Sequence, residues 1–541
     1  MGWTVTVSGP DPTALTQLTP LLFLERSADV FGDKRAIAYG SRTLTYRQFS
    51  EAVVRMARAL QASGIGPGDR VAYLLPNLPE MLVAHFAVPL CHAVLVAINT
   101  RLSGPEIEYI LNHSGASVLV ADTDLLPTVV PHLSAVPLLR EVVTLDEVGR
   151  RPGVPTVDYS EFLARGSDDP LPFRVDDENR SISINYTSGT TGRPKGVLYT
   201  HRGAYLNALA EIIHSRHHPD SVYLWTLPMF HCNGWCTPWA VTGIGGTHVC
   251  LRAVDPAVVW KLIETEEVTH LNAAPTVLIS LANNPAAAPF GRPFTVTTAG
   301  APPSPTIISQ MEGLGARVVH VYGLTETYGP YTVCEARSGW AEGALEARVK
   351  LLARQGVAYV GADPIRVVDE DMKDVPRDGE TMGEVVMRGN NVMAGYYADP
   401  EATTHAFRGG WFHSGDLAVW HPDGYIELRD RQKDIIISGG ENISTIEVEQ
   451  AIVSHPAVME CAVVAMPHDH WGERPKAFVV LKPGASASEA EIIDHVRGRL
   501  AKFKAPDEVD IVEALPKTST GKIQKYVLRE RVWTGRDRRI N

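Results

Sequence analysis

The sequence predicts a multidomain protein of α/β and α+β class. A large amino-terminal unit of helix-covered sheets carries a small β-rich subdomain and is followed by a small α+β carboxy-terminal domain. Three observations predict this. The chain has 541 residues, more than one hydrophobic core usually holds. Strand-like and helix-like segments alternate through its first third and again after residue 220, the rhythm of βαβ units. After Asp430 that rhythm changes to a compact module of about a hundred residues. The expected boundary lies at Arg429-Asp430-Arg431, dividing the chain into residues 1–430 and 431–541.

Residues 46–63 follow a Thr/Tyr start and read as an amphipathic helix. Residues 70–75 are a buried strand ended by Pro76-Asn77. A helix over 79–88, a strand over 94–98, a helix over 106–113 and a strand over 117–121 continue the alternation. Residues 181–186 alternate like a strand, and residues 196–199 are again strand-like. The segment between them therefore joins two strands. Strands over 221–225 and 247–251, a helix over 258–267 and a strand over 318–322 follow. Between 361 and 388 the strands shorten and turns multiply, as at Asp363-Pro364 and Arg377-Asp378-Gly379.

Composition bounds the function. Hydrophobic residues make up 45% and charged residues 21%, ordinary values for a soluble globular protein. The net charge is -12 with no basic run, so nucleic acid is not an expected partner. Six cysteines are too few for a disulfide framework in this length, and a reducing cytoplasm is expected. His231, Cys232 and Cys236 lie close together without a paired CxxC or HxxxH, so no zinc site is expected there. Residues 1–20 lack the pattern of a signal peptide, no apolar run is long enough to span a membrane, and Arg538-Arg539-Ile540-Asn541 is not a peroxisomal signal.

The most informative string joins the strands at 181–186 and 196–199: Tyr186, Thr187, Ser188, Gly189, Thr190, Thr191, Gly192, Arg193, Pro194, Lys195, Gly196. Backbone that wraps phosphate oxygens needs small residues with free N–H groups. Thr and Ser add hydroxyl donors, and Lys195 adds a point charge. A Walker A loop places Gly-Lys-Ser/Thr at a helix start; here Lys195 follows proline and leads into a strand. A second run, Tyr322-Gly323-Leu324-Thr325-Glu326-Thr327, sets an aromatic beside glycine and follows it with a carboxylate suited to Mg²⁺. A third, from Gly410 to Leu417, presents Asp416 at a strand edge, where a short carboxylate can accept both hydroxyls of a ribose. Residues 430–443 and 515–523 add Arg431, Lys433, Ser438, Gly439 and Gly440, then Lys522 behind Gly521. Residues 228–235 contain His231 and Trp235.

In this order these runs resemble the adenylate-forming superfamily, over nearly the whole chain from about residue 24 to residue 528. His-Cys-Asn-Gly-Trp at 231–235 and Arg354-Gln355-Gly356-Val357 look most like its soluble fatty-acyl, aryl and methylthiopropionyl CoA ligases. The resemblance implies that Thr187, Ser188, Gly189, Thr190, Thr191, Gly192 and Lys195 hold ATP phosphates. It implies that Gly300, Ala301, Tyr322, Gly323 and Thr325 surround the adenine end, that Asp416 binds the ribose, and that Arg431 contacts ribose or phosphate. Glu326, with Thr187, would hold Mg²⁺. Lys522 would bridge the substrate carboxylate and the α-phosphate, and His231 would gate the acyl site. His231, Trp235, Gly300 and Tyr322 would line an acyl pocket of limited depth. Ser438, Gly439 and Gly440 would meet CoA once a mobile small domain turns about Lys433.

The expected activity is ATP-dependent ligation of a short-to-medium-chain or small aryl acid to CoA, with a homodimer as the family-level expectation. Three alternatives share the nucleotide residues. A stand-alone adenylation enzyme would load a carrier protein, but amino-acid-activating domains usually place an aspartate near the 231–235 segment, and none stands there. The others are a luciferase-like oxygenase and an inactive nucleotide-binding scaffold; the scaffold would be expected to have lost Glu326, Asp416 or Lys522.

Overall fold

The computed structural model describes residues 15–145, 154–187, 193–468, 470–518 and 521–534. Among the described residues two large mixed sheets flank a common core. One runs in the order Gly395–Tyr396, Lys195–Thr200, Ser181–Thr187, Val94–Ala97, Arg70–Leu74, Val118–Ala121, Glu141–Thr144, Thr156–Asp158. The other, with nine strands, is built on the parallel run Val222–Leu224, His270–Ala273, Phe294–Thr298, Ala316–Leu324. A four-stranded antiparallel sheet (Arg366–Val368, Met382–Met387, Phe412–Trp420, Ile426–Arg431) forms the expected β-rich subdomain. A five-stranded sheet follows, centred on the long hairpin Val458–His468 and Gly472–Leu481. No helix among the described residues is long and apolar enough to cross a membrane.

The helix Tyr46–Ala62 forms where expected. Thr45 and Gln48 close a reciprocal capping box, and Phe49, Val53, Met56 and Leu60 turn one fully buried face to the core. Capping chemistry moves other boundaries. Ser103 and Glu106 start the next helix at Gly104, so it spans Gly104–Ser114. The Asp255 carboxylate accepts from the N–H groups of Ala257 and Val258, so the helix expected over 258–267 is Pro256–Thr265.

The helix Pro79–Leu90 is apolar on every side and packs against strands of both large sheets. It continues past residue 88, through Pro89. Proline removes the N–H that would have bonded the His85 carbonyl. That oxygen accepts the Trp239 indole N–H instead, at 3.1 Å, so the helix loses no hydrogen-bonding balance there.

Buried residues of the large core end at Ile426, and a separate buried cluster begins at Ile436. Between them, Asp430 accepts from the N–H and Oγ1 of Thr445 at 2.7 and 2.6 Å. The Arg529 guanidinium binds Asp434 and the Lys433 carbonyl. The short stretch 430–434 is therefore the strap between two cores.

Candidate active site

The hairpin Ser181–Thr187/Lys195–Thr200 is antiparallel, with Thr187 opposite Lys195. The loop therefore joins two strands, as the alternation of residues predicts. Ser188, Gly189, Thr190, Thr191 and Gly192 lie outside the described residues. Both strands pack against the short turn Thr325–Thr327 at the end of strand Ala316–Leu324, which brings Thr187 and Lys195 to the same edge as Glu326.

Tyr396, which no sequence motif above singles out, ties these parts together. Its hydroxyl donates to Glu326 Oε1 at 2.9 Å, and Lys195 Nζ lies over its ring at 4.8 Å. The Tyr396 backbone is held by pairing with Val197. Burial raises the Glu326 pKa above the usual carboxyl range, opposed by the Tyr396 hydrogen bond and the Arg431 charge. A hard cation would relieve that burial cost, and the carboxylate of Glu326 with the hydroxyl of Thr187 is an oxygen donor set that suits Mg²⁺.

The next centre lies where three strands meet. Tyr322 donates to Asp416 Oδ2 at 2.7 Å, and Arg431 Nε stands 3.4 Å from Asp416 Oδ1. Asp416 and Arg431 are register partners on Phe412–Trp420 and Ile426–Arg431. Asp416 is thus fixed from both sides before any ligand arrives. Gly323 is required by the packing of the strands: a Cβ there would lie 1.8 Å from the Gly329 carbonyl oxygen, so the missing side chain admits the next strand. Gly300 differs: its φ is +92° and a Cβ would meet nothing within 4 Å. Gly300 and Ala301 therefore border open space. The Thr325 carbonyl accepts from Tyr199.

Lys522 reaches this centre from the small domain. The turn carrying it is closed by hydrogen bonds between Thr518 and Lys522, and it is docked by Thr276 Oγ1, which donates to the Gly521 carbonyl at 3.2 Å. The Arg431 charge, then burial, lowers the Lys522 pKa to about 7. Burial and the Lys522 charge lower His231 to about 4, leaving it neutral near pH 7. Lys522 is therefore in electrostatic reach of Arg431, Asp416 and His231 together. Ser438 is buried and accepts weakly from Arg474 at 3.4 Å. Gly439 and Gly440 sit in an exposed turn against Trp471. In this arrangement the structure brings Lys522 to the centre and leaves that glycine turn in solvent. Lys433 is exposed on the strap.

The segment after His231 was not legible in the sequence. Cys232, Asn233, Gly234, Trp235 and Cys236 have φ of 51°, 48°, 56°, 58° and 62°, a run of left-handed backbone. Each non-glycine residue there costs roughly 1–2 kcal/mol. A buried clamp offsets it: Asn233 Oδ1 accepts from Ser183 at 2.6 Å and Asn185 at 2.7 Å, and its N–H donates to Asn185 Oδ1 at 3.2 Å. The strain holds Trp235 buried, close enough that a Cβ at Gly329 would lie 2.7 Å from its ring. Asn185→Ala is expected to lower stability by about 1–3 kcal/mol through orphaned polar groups. It should also lower kcat while leaving the KM for nucleotide unchanged. Unchanged melting and turnover would mean that the clamp does not hold the turn.

Comparison with known proteins adds the following. Residues 24–397 match the family model described as AMP-binding enzyme, and residues 447–522 match its C-terminal domain. The chain is 44% identical to the peroxisomal acetate/butyrate–CoA ligase of Arabidopsis thaliana, covering 96% of this chain and 95% of that protein. It is also 44% identical to a 4-hydroxybutyrate–CoA ligase of Metallosphaera sedula, covering 96% of each. Among solved structures, the anthranilate–CoA ligase AuaEII in complex with anthranoyl-AMP superimposes with a TM-score of 0.85 at 25% identity, covering 97% of this chain and 99% of that one.

Proposed function

The chain belongs to the AMP-binding enzyme family, and from that premise we propose that it is an ATP-dependent acid–CoA ligase. It activates a short-to-medium-chain or small aryl carboxylic acid as the acyl-adenylate, releasing pyrophosphate, and then transfers the acyl group to CoA. The observation that carries this reading is the docking of the Lys522 turn on Thr276, which brings the Lys522 charge within reach of the Tyr322–Asp416–Arg431 centre.

In the first half-reaction the acid's carboxylate oxygen attacks the α-phosphorus, and the bond to pyrophosphate breaks. Asp416, oriented by Tyr322 and Arg431, accepts the ribose hydroxyls and fixes the nucleoside. Lys195 and the Thr187 hairpin hold the phosphates. Lys522 spans carboxylate and α-phosphate, where the added anions favour its charged form. These contacts act by positioning and by meeting charge that grows in the transition state. Bound at Glu326 and Thr187, Mg²⁺ would supply charge neutralisation to the phosphates.

In the second half-reaction the small domain, residues 431–541, turns against residues 1–430 about Lys433. Lys522 leaves, and Ser438, Gly439 and Gly440 come to the site. The CoA thiol gives its proton to solvent, its sulfur bonds to the acyl carbon, the bond from that carbon to the phosphate oxygen breaks and AMP departs. No protein cysteine takes part.

ATP–pyrophosphate exchange tests the reading. It should depend on a carboxylic acid and not on CoA, and adding CoA should then release thioester. Exchange that never yields thioester would favour a carrier-loading enzyme. The acids named for the two relatives support the short end of the range. We also assign a cytoplasmic location, supported by six free cysteines, all buried, and a homodimer, on family expectation; fractionation and sedimentation test these.

Trp235 is assigned to the acyl pocket floor. Trp235→Ala should lengthen the preferred acid, each buried methylene gaining up to about 0.8 kcal/mol, with the KM for ATP unchanged. The change costs about 3–5 kcal/mol in stability, so melting is measured alongside. A folded variant with the same chain-length profile would make Trp235 a core residue alone.

A further inference from the structure

A cavity of about 400 Å³ lies at the opposite end of the parallel strands from the site above. Arg216, His218, His270, Thr295, Gly315 and Arg317 are among the residues that line it. His270, Thr295 and Arg317 stand at or next to the first residues of strands His270–Ala273, Phe294–Thr298 and Ala316–Leu324. Tyr322 lies five positions beyond Arg317 on the same strand, about 16 Å away at strand rise. The two sites are therefore separate.

Among its lining residues the cavity has two guanidiniums and no carboxylate, in a chain whose net charge is -12. Arg216 and Arg317 are exposed, and partial burial of its guanidinium, then the Arg216 charge, lower the Arg317 pKa. Among the described residues neither guanidinium has a salt-bridge partner. The Glu335 carboxylate acts on both, but it is already bonded to His214 Nδ1 at 2.8 Å. One carboxylate set against two guanidiniums leaves the cavity net positive.

The backbone adds an independent sign. The helix His201–His214 ends in a Schellman motif, with Arg216 N–H on the Ile213 carbonyl and His217 N–H on that of Ile212. The position between is left-handed and favours glycine, yet Arg216 occupies it with φ 56°. A guanidinium is kept at this rim against local conformational preference.

We propose that this cavity binds a small organic phosphate. A phosphate dianion takes paired hydrogen bonds from both guanidiniums, and His218 adds a third donor. A monocarboxylate would leave charge unmet. The volume exceeds what a bare phosphate fills and leaves room for an organic part.

Calorimetry tests this on the whole enzyme saturated with ATP and Mg²⁺, without acid, so that the nucleotide site is filled. Inorganic phosphate is titrated at constant ionic strength, with nitrate, a monoanion that is not a carboxylic acid, in parallel. Saturable phosphate binding is expected, at least tenfold tighter than nitrate, and at least tenfold weaker in Arg216→Ser/Arg317→Ser. Arg216→Gly relieves the backbone and guards against misfolding. It should melt no lower than the wild type in phosphate-free buffer and lose the phosphate-induced rise in Tm. No saturable binding, equal nitrate binding, or undiminished binding by the double variant would overturn the proposal.

Discussion

Lys522→Ala should lower the rate of adenylate formation by two to three decades while leaving thioester formation from a supplied acyl-adenylate nearly intact. The charge of Lys522 reaches Asp416, Arg431 and His231 together from the small domain. Losing one charged contact that strengthens in the transition state costs about 3–4 kcal/mol. Its backbone is held independently by the Thr518 turn and by Thr276, so removing the side chain should leave the docking intact. Rapid-quench measurement of each half-reaction checks this. Equal losses in both would contradict a residue that acts in one domain orientation alone.

The same lysine gives a pH signature. Its pKa is about 7 when docked, against about 10.4 when free in solvent. The undocked state therefore binds more protons between these values, and docking strengthens as pH rises through that window. Below pH 7 the full cost of setting a charged Lys522 beside Arg431 is present. Without nucleotide, domain closure followed by energy transfer between two dyes should increase from pH 6.5 to 9. With ATP present the phosphates favour the charged lysine, and the dependence should flatten. Closure that falls with rising pH would contradict this electrostatic account.

Lys433→Pro should show the reverse split from Lys522→Ala: adenylate forms and transfer to CoA fails. The Lys433 carbonyl is bound by Arg529 of the small domain, while Arg431, two residues earlier, pairs with Asp416 of the large one. A rotation that keeps both contacts must be taken up between them. Proline fixes φ there and holds one of two required conformations. Normal thioester synthesis from isolated adenylate would move the hinge elsewhere, most simply to Asp430.

Much of this site was legible because its chemistry is carried by short strings. Tyr322, Glu326, Asp416, Arg431 and Lys522 each stand in a motif whose residue types announce phosphate, sugar or metal chemistry, and the fold brings them to one edge. What was not legible depends on contacts between distant segments. Tyr396 meets Glu326 seventy residues away, through a strand of two residues. The left-handed run 232–236 contains three residues, Cys232, Trp235 and Cys236, that give no local sign of positive φ, and the clamp that holds it comes from Ser183 and Asn185 on another strand. The need for glycine at 323 is likewise set from a distance, by the Gly329 carbonyl on the next strand. Helix boundaries shifted where Ser103 and Asp255 capped earlier turns than apolar periodicity suggested.

The central claim is that the acid is activated by attack on the α-phosphorus. Single turnover with an acid carrying ¹⁸O in both carboxylate oxygens tests it most directly. The account predicts one ¹⁸O in the AMP released with thioester and none in pyrophosphate. Label in inorganic phosphate or pyrophosphate, or unlabelled AMP, would contradict it.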